Sequence, residues 1–477
     1  MKFSKTHLSL LCSAILASGG LVACSSGGGS STGGTSSKVT SGVITGFGSV
    51  FVNGVEYQTS NAKVMVDGAP GTEDDLALGM VVKVNGSVNS DGTHGTANSI
   101  EFNDEMQGTV SAVNVTNGVG SIDVMGQTVN VDADTVFESH VDGVTTVDML
   151  QVGNIVEVSG YTDGTGTVYA TRVEVKKAAH AMGEAIEVKG KITSLDTTAM
   201  TFMLGDLTVD YSGANLVGFP DGQPALDQFV EVTTTTDVTN NLLVATKVEL
   251  KNTDNKHVSG AKGDKLELEG VVTADLADNQ FMLNDQIVIV DDNTEYENGS
   301  ETDITMGVKM EVQGQLDADG NLVASHVQFR HAAGAEMFAP VDAVSTDANT
   351  VTVMGMDIHV NTFTRLCDQQ DGNNATPVRY FSLADVMPGD WLEVRYYKDA
   401  DGNYMATEVK RQNAPADAMD KIAGAIDEVT QAGLLVIEGV QVDASVSSAV
   451  FNVGDKVEAM GTFADGVLTA TEIKLDK

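Results

Sequence analysis

Gly79-Met-Val-Val82-Lys-Val84-Asn-Gly86 decides the fold, because its apolar residues alternate with polar ones between two glycines and the segment recurs along the chain. It returns as Gly153-Asn-Ile-Val156-Glu-Val158-Ser-Gly160, Gly307-Val-Lys-Met310-Glu-Val312-Gln-Gly314, Gly389-Asp-Trp-Leu392-Glu-Val394-Arg-Tyr396 and Gly454-Asp-Lys-Val457-Glu-Ala459-Met-Gly461. A sixth copy, Asp227-Gln-Phe-Val230-Glu-Val232-Thr-Thr234, has lost both glycines. Period-two alternation is the signature of a half-buried strand. Downstream of each copy comes a second strand led by Ala97, Ala170, Ala245, Ala324, Ala406 or Ala470. Asp-Gly pairs such as Asp163-Gly164, Asp319-Gly320 and Asp465-Gly466 separate the two strands in most copies, so each pair is a β-hairpin. Alternation places Val82 and Val84 inward and sends Lys83, Glu157, Glu231, Glu311, Glu393 and Glu458 outward, where they are expected to face water.

Upstream of each hairpin lie shorter strands, as in Gly42-Val-Ile-Thr, Ser49-Val-Phe-Val52 and Ala62-Lys-Val-Met-Val66, then a turn-like Asp74-Asp75-Leu76. Five strands with a brief turn before the fourth form the element order of an OB-like barrel, whose closure removes exposed edges. The expected fold is therefore all-β: a tandem array of six small five-stranded OB-like β-barrel modules, at 40–104, 105–177, 185–251, 265–330, 336–411 and 418–475. Open β-sandwich-like modules are the competing architecture. Short polar joins at 178–184, 252–264, 331–335 and 412–417 predict a semi-flexible string.

The chain has 477 residues, 42% of them hydrophobic, and a formal charge of −40. The apolar content supports folded cores, while 67 acidic against 27 basic residues exclude nucleic acid as a partner of the folded part. Residues 1–23 carry Lys2 and Lys5 and then an apolar run from Leu8 to Ala17, which reads as a signal peptide. It closes on Leu21-Val22-Ala23-Cys24, a sequence that resembles the lipobox of bacterial lipoproteins. That resemblance implies cleavage before Cys24, lipidation of its sulfur and, with Ser25 following, an outer-membrane address on the periplasmic or surface face. Residues 24–39 are a Gly/Ser tether. Beyond the signal peptide the only other cysteine is Cys367, so no internal disulfide is expected.

Gly46-Phe-Gly-Ser-Val-Phe-Val-Asn-Gly54, Val66-Asp-Gly68, Leu78-Gly79-Met-Val-Val82 and Ala97-Asn-Ser-Ile100 behind a lipobox resemble the bacterial lipoprotein repeat known as domain of unknown function 5666. The first copy is the most similar; the later ones keep the hairpin and lose the Gly-Phe-Gly-Ser opening. The resemblance implies a small β-barrel module at the cell envelope and brings no catalytic residue with it.

Metalloprotease, phosphate-loop and Cys-x-x-Cys motifs are absent, and no catalytic residue or cofactor is expected. Two sets of residues merit weighing. Asp317-Ala-Asp319-Gly320-Asn321 and Asp399-Ala-Asp401-Gly402-Asn403 bring carboxylates into tight turns, either as ordinary hairpin turns or as weak divalent-cation ligands. The fifth module holds the only Trp and four of the six arginines. Trp391, Glu393, Arg395 and Tyr397 alternate onto one outward face near Arg379 and Tyr380, suiting a protein or glycan partner; equally, the 366–378 insertion can fold over that face and turn it into packing.

The expected function is a non-catalytic cell-envelope lipoprotein, a string of β modules acting as scaffold, spacer or binding protein, joined to the membrane through its N-terminal lipid. The alternatives are an envelope-polymer (polysaccharide) binding or hydrolysing protein and a weak divalent-cation-binding surface protein.

Overall fold

In a computed structural model every copy of the Gly79-type segment opens on a residue in the left-handed region: φ is +82° at Gly79, +99° at Gly153, +85° at Gly307, +92° at Gly389 and +89° at Gly454. Asp227, which stands in for glycine in the third copy, adopts +64°. Aspartate is among the few residues that tolerate this conformation, so the lost glycine does not break the repeat. The residue's amide donates to a first-strand carbonyl in all six copies: those of Ile44, Val110, Ile192, Val272, Val341 and Ile426. One latch, repeated six times, ties the fourth strand to the first.

The structure describes residues 36–90, 92–163, 166–251, 262–276, 279–284, 286–331, 333–370, 381–399, 401–431 and 433–475. In the first module Ser36–Phe47 pairs with Val50–Val52 and Val81–Val88, and Val50–Val52 pairs with Val55–Gln58. Val55–Gln58 runs parallel to His94–Phe102, which pairs back onto Val81–Val88 and closes a five-strand ring. The same ring recurs in the other modules; in the third, the fifth strand is split into Leu242–Val244 and Lys247–Leu250. The all-β array of OB-like barrels follows as expected. A bulge bends every first strand at one place, from Ile44/Gly46 in the first module to Ile426/Glu428 in the sixth, so that one strand serves both halves of its barrel. The expected turn before the fourth strand is a 3-10 turn at Glu73–Asp75, Val147–Met149, Glu301–Asp303 and Leu383–Asp385.

The modules do not form the expected semi-flexible string, because Thr35–Lys477 is one compact unit. The first half of each first strand pairs with its own fourth strand along one edge and leaves the other open. Modules join there, since an open edge is a template for another strand. Lys38–Ser41 runs parallel to Lys265–Leu268, joining modules one and four. Met106 and Gln107 pair with Val188 and Glu187, joining two and three, and Glu336–Phe338 pairs with Lys421–Ala423, joining five and six. Modules one, two and four also share an apolar contact of Val81, Tyr161 and Val271.

Compaction changes the fate of the outward carboxylates. Glu311 and Glu231 are buried at 1% and 7% exposure, and Glu157 and Glu393 are half-buried. Each has a cation: Glu157 has Lys176, Glu231 has Lys247 and Lys251, Glu311 has Arg330 and Glu393 has Lys410. The outer face of a barrel is not the outer face of the molecule, which corrects the expectation that these positions meet water. A buried carboxylate persists only when it is paired.

Candidate functional site

The fifth module turns its polar outer face toward modules one, two and six. Pairing registers place Glu336 opposite Arg395, Glu393 opposite Lys410 and Arg395 opposite Glu408, so acids and bases alternate across three strands. Arg395 lies 3.2 Å from Glu336, 3.1 Å from Glu393 and 3.3 Å from Glu408, and Lys410 lies 2.7 Å from Glu393. Lys421 from the sixth module reaches Glu336 at 2.6 Å. Arg365 joins the lattice at 3.0 Å from Glu408 and donates to the Asp134 carbonyl at 2.6 Å, while Arg395 donates to the carbonyl of Ala133. These residues line a cavity of about 710 Å³ whose far wall is Leu78, Asp132 and Val136.

Charge compensation sets the chemistry of this cavity. Burial alone would raise the Glu336 carboxyl, but Lys421 and Arg395 outweigh it and hold the group at about 2. Glu408 is likewise held well below the usual carboxylate range by Arg365, Lys410 and Arg395 against the effect of burial. Burial pushes the Cys367 thiol far up, and its side chain packs into the core of the first module, so it is no nucleophile. This lattice fixes modules to one another and presents polar atoms to the cavity.

The aromatic row of the fifth module divides among three environments. Trp391 packs against Phe338 with ring centroids 5.2 Å apart. Glu393 and Arg395 belong to the ion lattice, and Tyr397 meets His331 at 5.0 Å in a separate, smaller cavity. The row is therefore not one exposed surface, because neighbouring modules cover the face it lies on. Arg379, Tyr380 and Cys24 lie outside the described residues. Glu408, Lys410 and Lys421 escaped sequence reasoning, although Lys410 follows from Glu393 once the hairpin register is known.

In the Asp-Gly turns, the Asp317 carboxylate accepts the amides of Asp319 at 2.8 Å and Asn321 at 2.9 Å. Asp399 accepts the Asn403 amide at 2.7 Å and its side-chain nitrogen at 3.0 Å. Both aspartates are thus engaged in holding their own turns, with Asp319 and Asp401 beside them. His180 donates to the Asp237 carboxylate, His331 donates to the Asn298 carbonyl, and His257 lies outside the described residues. Among the described residues no group of three or more His, Cys, Asp or Glu side chains is arranged to hold a metal ion.

A family model for a domain of unknown function, DUF5666, matches the chain at residues 38–101, 107–174, 189–249, 269–328, 339–410 and 423–474. No curated protein matches the chain significantly. With its six barrels coinciding with six matches, the chain belongs to the DUF5666 family.

Proposed function

We propose that the chain is a non-catalytic lipoprotein of the bacterial cell envelope, held by a lipid on Cys24 and the 24–39 tether, whose modules serve as one rigid scaffold and binding body. The observation that carries this is the joining of barrels through the open edges of their first strands, backed by the buried ion lattice. A flexible spacer needs independent modules; these bury charged faces against one another. Polysaccharide binding is the second reading, favoured by the polar cavity between modules one, two, five and six.

Two measurements test the proposal. X-ray scattering of the mature chain without its lipid should give a radius of gyration near about 22 Å, the scaling value for roughly 440 compact residues. A value of roughly twice that or more would mean separate barrels and refute the rigid body. Palmitate labelling should be present in the native protein and lost in Cys24→Ala; equal labelling of both sinks the anchor.

A further inference from the structure

Modules one, two, four and five meet around a second cavity of about 250 Å³. We infer that this chamber is a binding site for one neutral sugar ring, such as the terminal residue of an envelope glycan. Its walls have both halves of a sugar site. Tyr397, Phe363 and Phe329 supply apolar surface, and Asn53, Asn298, Asn361 and Gln328 supply side-chain amides. Exposed Glu297, His331 and Asn361 mark its mouth, while buried Asn53 and Arg365 stand at its inner wall.

Charge selects the ligand class. The three lining cations are already engaged: Lys309 with Asp132 at 2.5 Å, Arg365 with Glu408, and Arg330 with Glu311 and with Gln328 at 2.7 Å. Arg330 also lies 4.0 Å from the centre of the Phe363 ring. No described lining cation is left to meet a phosphate or carboxylate. Uncharged polar side chains, by contrast, line the chamber from three modules: Asn298 and Gln328, Asn361 and Thr407, and Thr171. Amides and hydroxyls both donate and accept, so they suit a visitor that does the same. A molecule rich in hydroxyls and free of negative charge fits, and the volume, equal to roughly eight waters at about 30 Å³ each, is that of one ring. A cation site is disfavoured because the described residues hold no metal-ligating cluster.

The inference deepens the binding-body proposal and rests on it. The test is saturation-transfer NMR on the full mature chain with glucose, galactose and N-acetylglucosamine, and with choline as a cationic probe. At least one sugar should bind saturably, and Tyr397→Ala should weaken it by about tenfold. Thr407→Val, which exchanges a half-buried lining hydroxyl for a methyl, should also weaken it and covers the case in which Tyr397→Ala fails to fold. Saturable binding of none of the three sugars, binding of choline in their place, or unchanged sugar binding in the folded variants would overturn the inference. With a compact radius of gyration, such a result leaves the scaffold standing; an extended radius defeats both.

Discussion

Single residues show how an acidic chain folds on itself. Lys189 of the third module is paired with Asp104, and Glu187 lies 3.0 Å away. Asp104 is 4% exposed, and burial pushes its carboxyl up to about 8 against the pull of Lys189, so removing Lys189 leaves a buried carboxyl that must take up a proton and lose its partner. Lys189→Ala should therefore cost about 3–5 kcal/mol in chemical denaturation, well above the median for an exposed pair. Glu267 shows the opposite balance. Burial and the adjacent Glu311 push its carboxyl up from 4.5 to about 8 against the pull of Lys38, while Thr40 donates to it at 3.0 Å. A folded-state pKa above the unfolded one means that the folded form holds the proton longer. Its stabilising contribution is complete below about 4.5 and is lost as pH rises toward 8. The melting temperature of Glu267→Gln relative to the native protein should thus rise between pH 5 and pH 9; a constant or falling difference contradicts the assignment. Neither Asp104 nor Glu267 belongs to the outward row read from the repeated hairpin, and which acids lose water is not legible in the sequence.

At the scale of elements, two kinds of glycine behave differently. Gly314 lies within the fourth strand of its module, Lys309–Leu316, at the bulge between Gln313 and Gly314, where an added Cβ would lie 2.1 Å from the Val323 carbonyl oxygen. Gly320 sits in the hairpin turn with φ +86° and nothing within 4 Å of an added Cβ. Gly314→Ala should cost about 3 kcal/mol through overpacking against backbone, whereas Gly320→Ala should cost about 1 kcal/mol from conformation alone. Thermal melts of the two variants check the order, and a larger loss at Gly320 contradicts it. The hairpins, the turn before the fourth strand and the barrel order were all visible as period-two alternation punctuated by Gly and Asp. The first-strand bulge was not visible, because nothing in Ile44 to Gly46 separates a bulge from regular alternation. The aromatic row of the fifth module was recognisable as a row, yet its surroundings depend on strands from other modules.

For the whole molecule, a charge of −40 means that repulsion opposes compaction. Exposed acids are screened at distances beyond a Debye length of about 10 Å in 0.1 M salt, shrinking to about 3 Å at 1 M, while buried pairs are screened much less. The melting temperature should therefore rise from low salt to 0.5 M sodium chloride; a fall would show that exposed ion pairs dominate stability. By itself the sequence determined the module, its number and its strand order, because these follow from local alternation and turn chemistry repeated six times. Only the tertiary structure decided that barrels join at open first-strand edges and that their polar faces meet inside. The reason is physical: alternation sends Glu311, Arg395 and Tyr397 to the outer faces of their barrels, and what lies beyond an outward position is set by contacts between residues as far apart in sequence as Arg395 and Ala133.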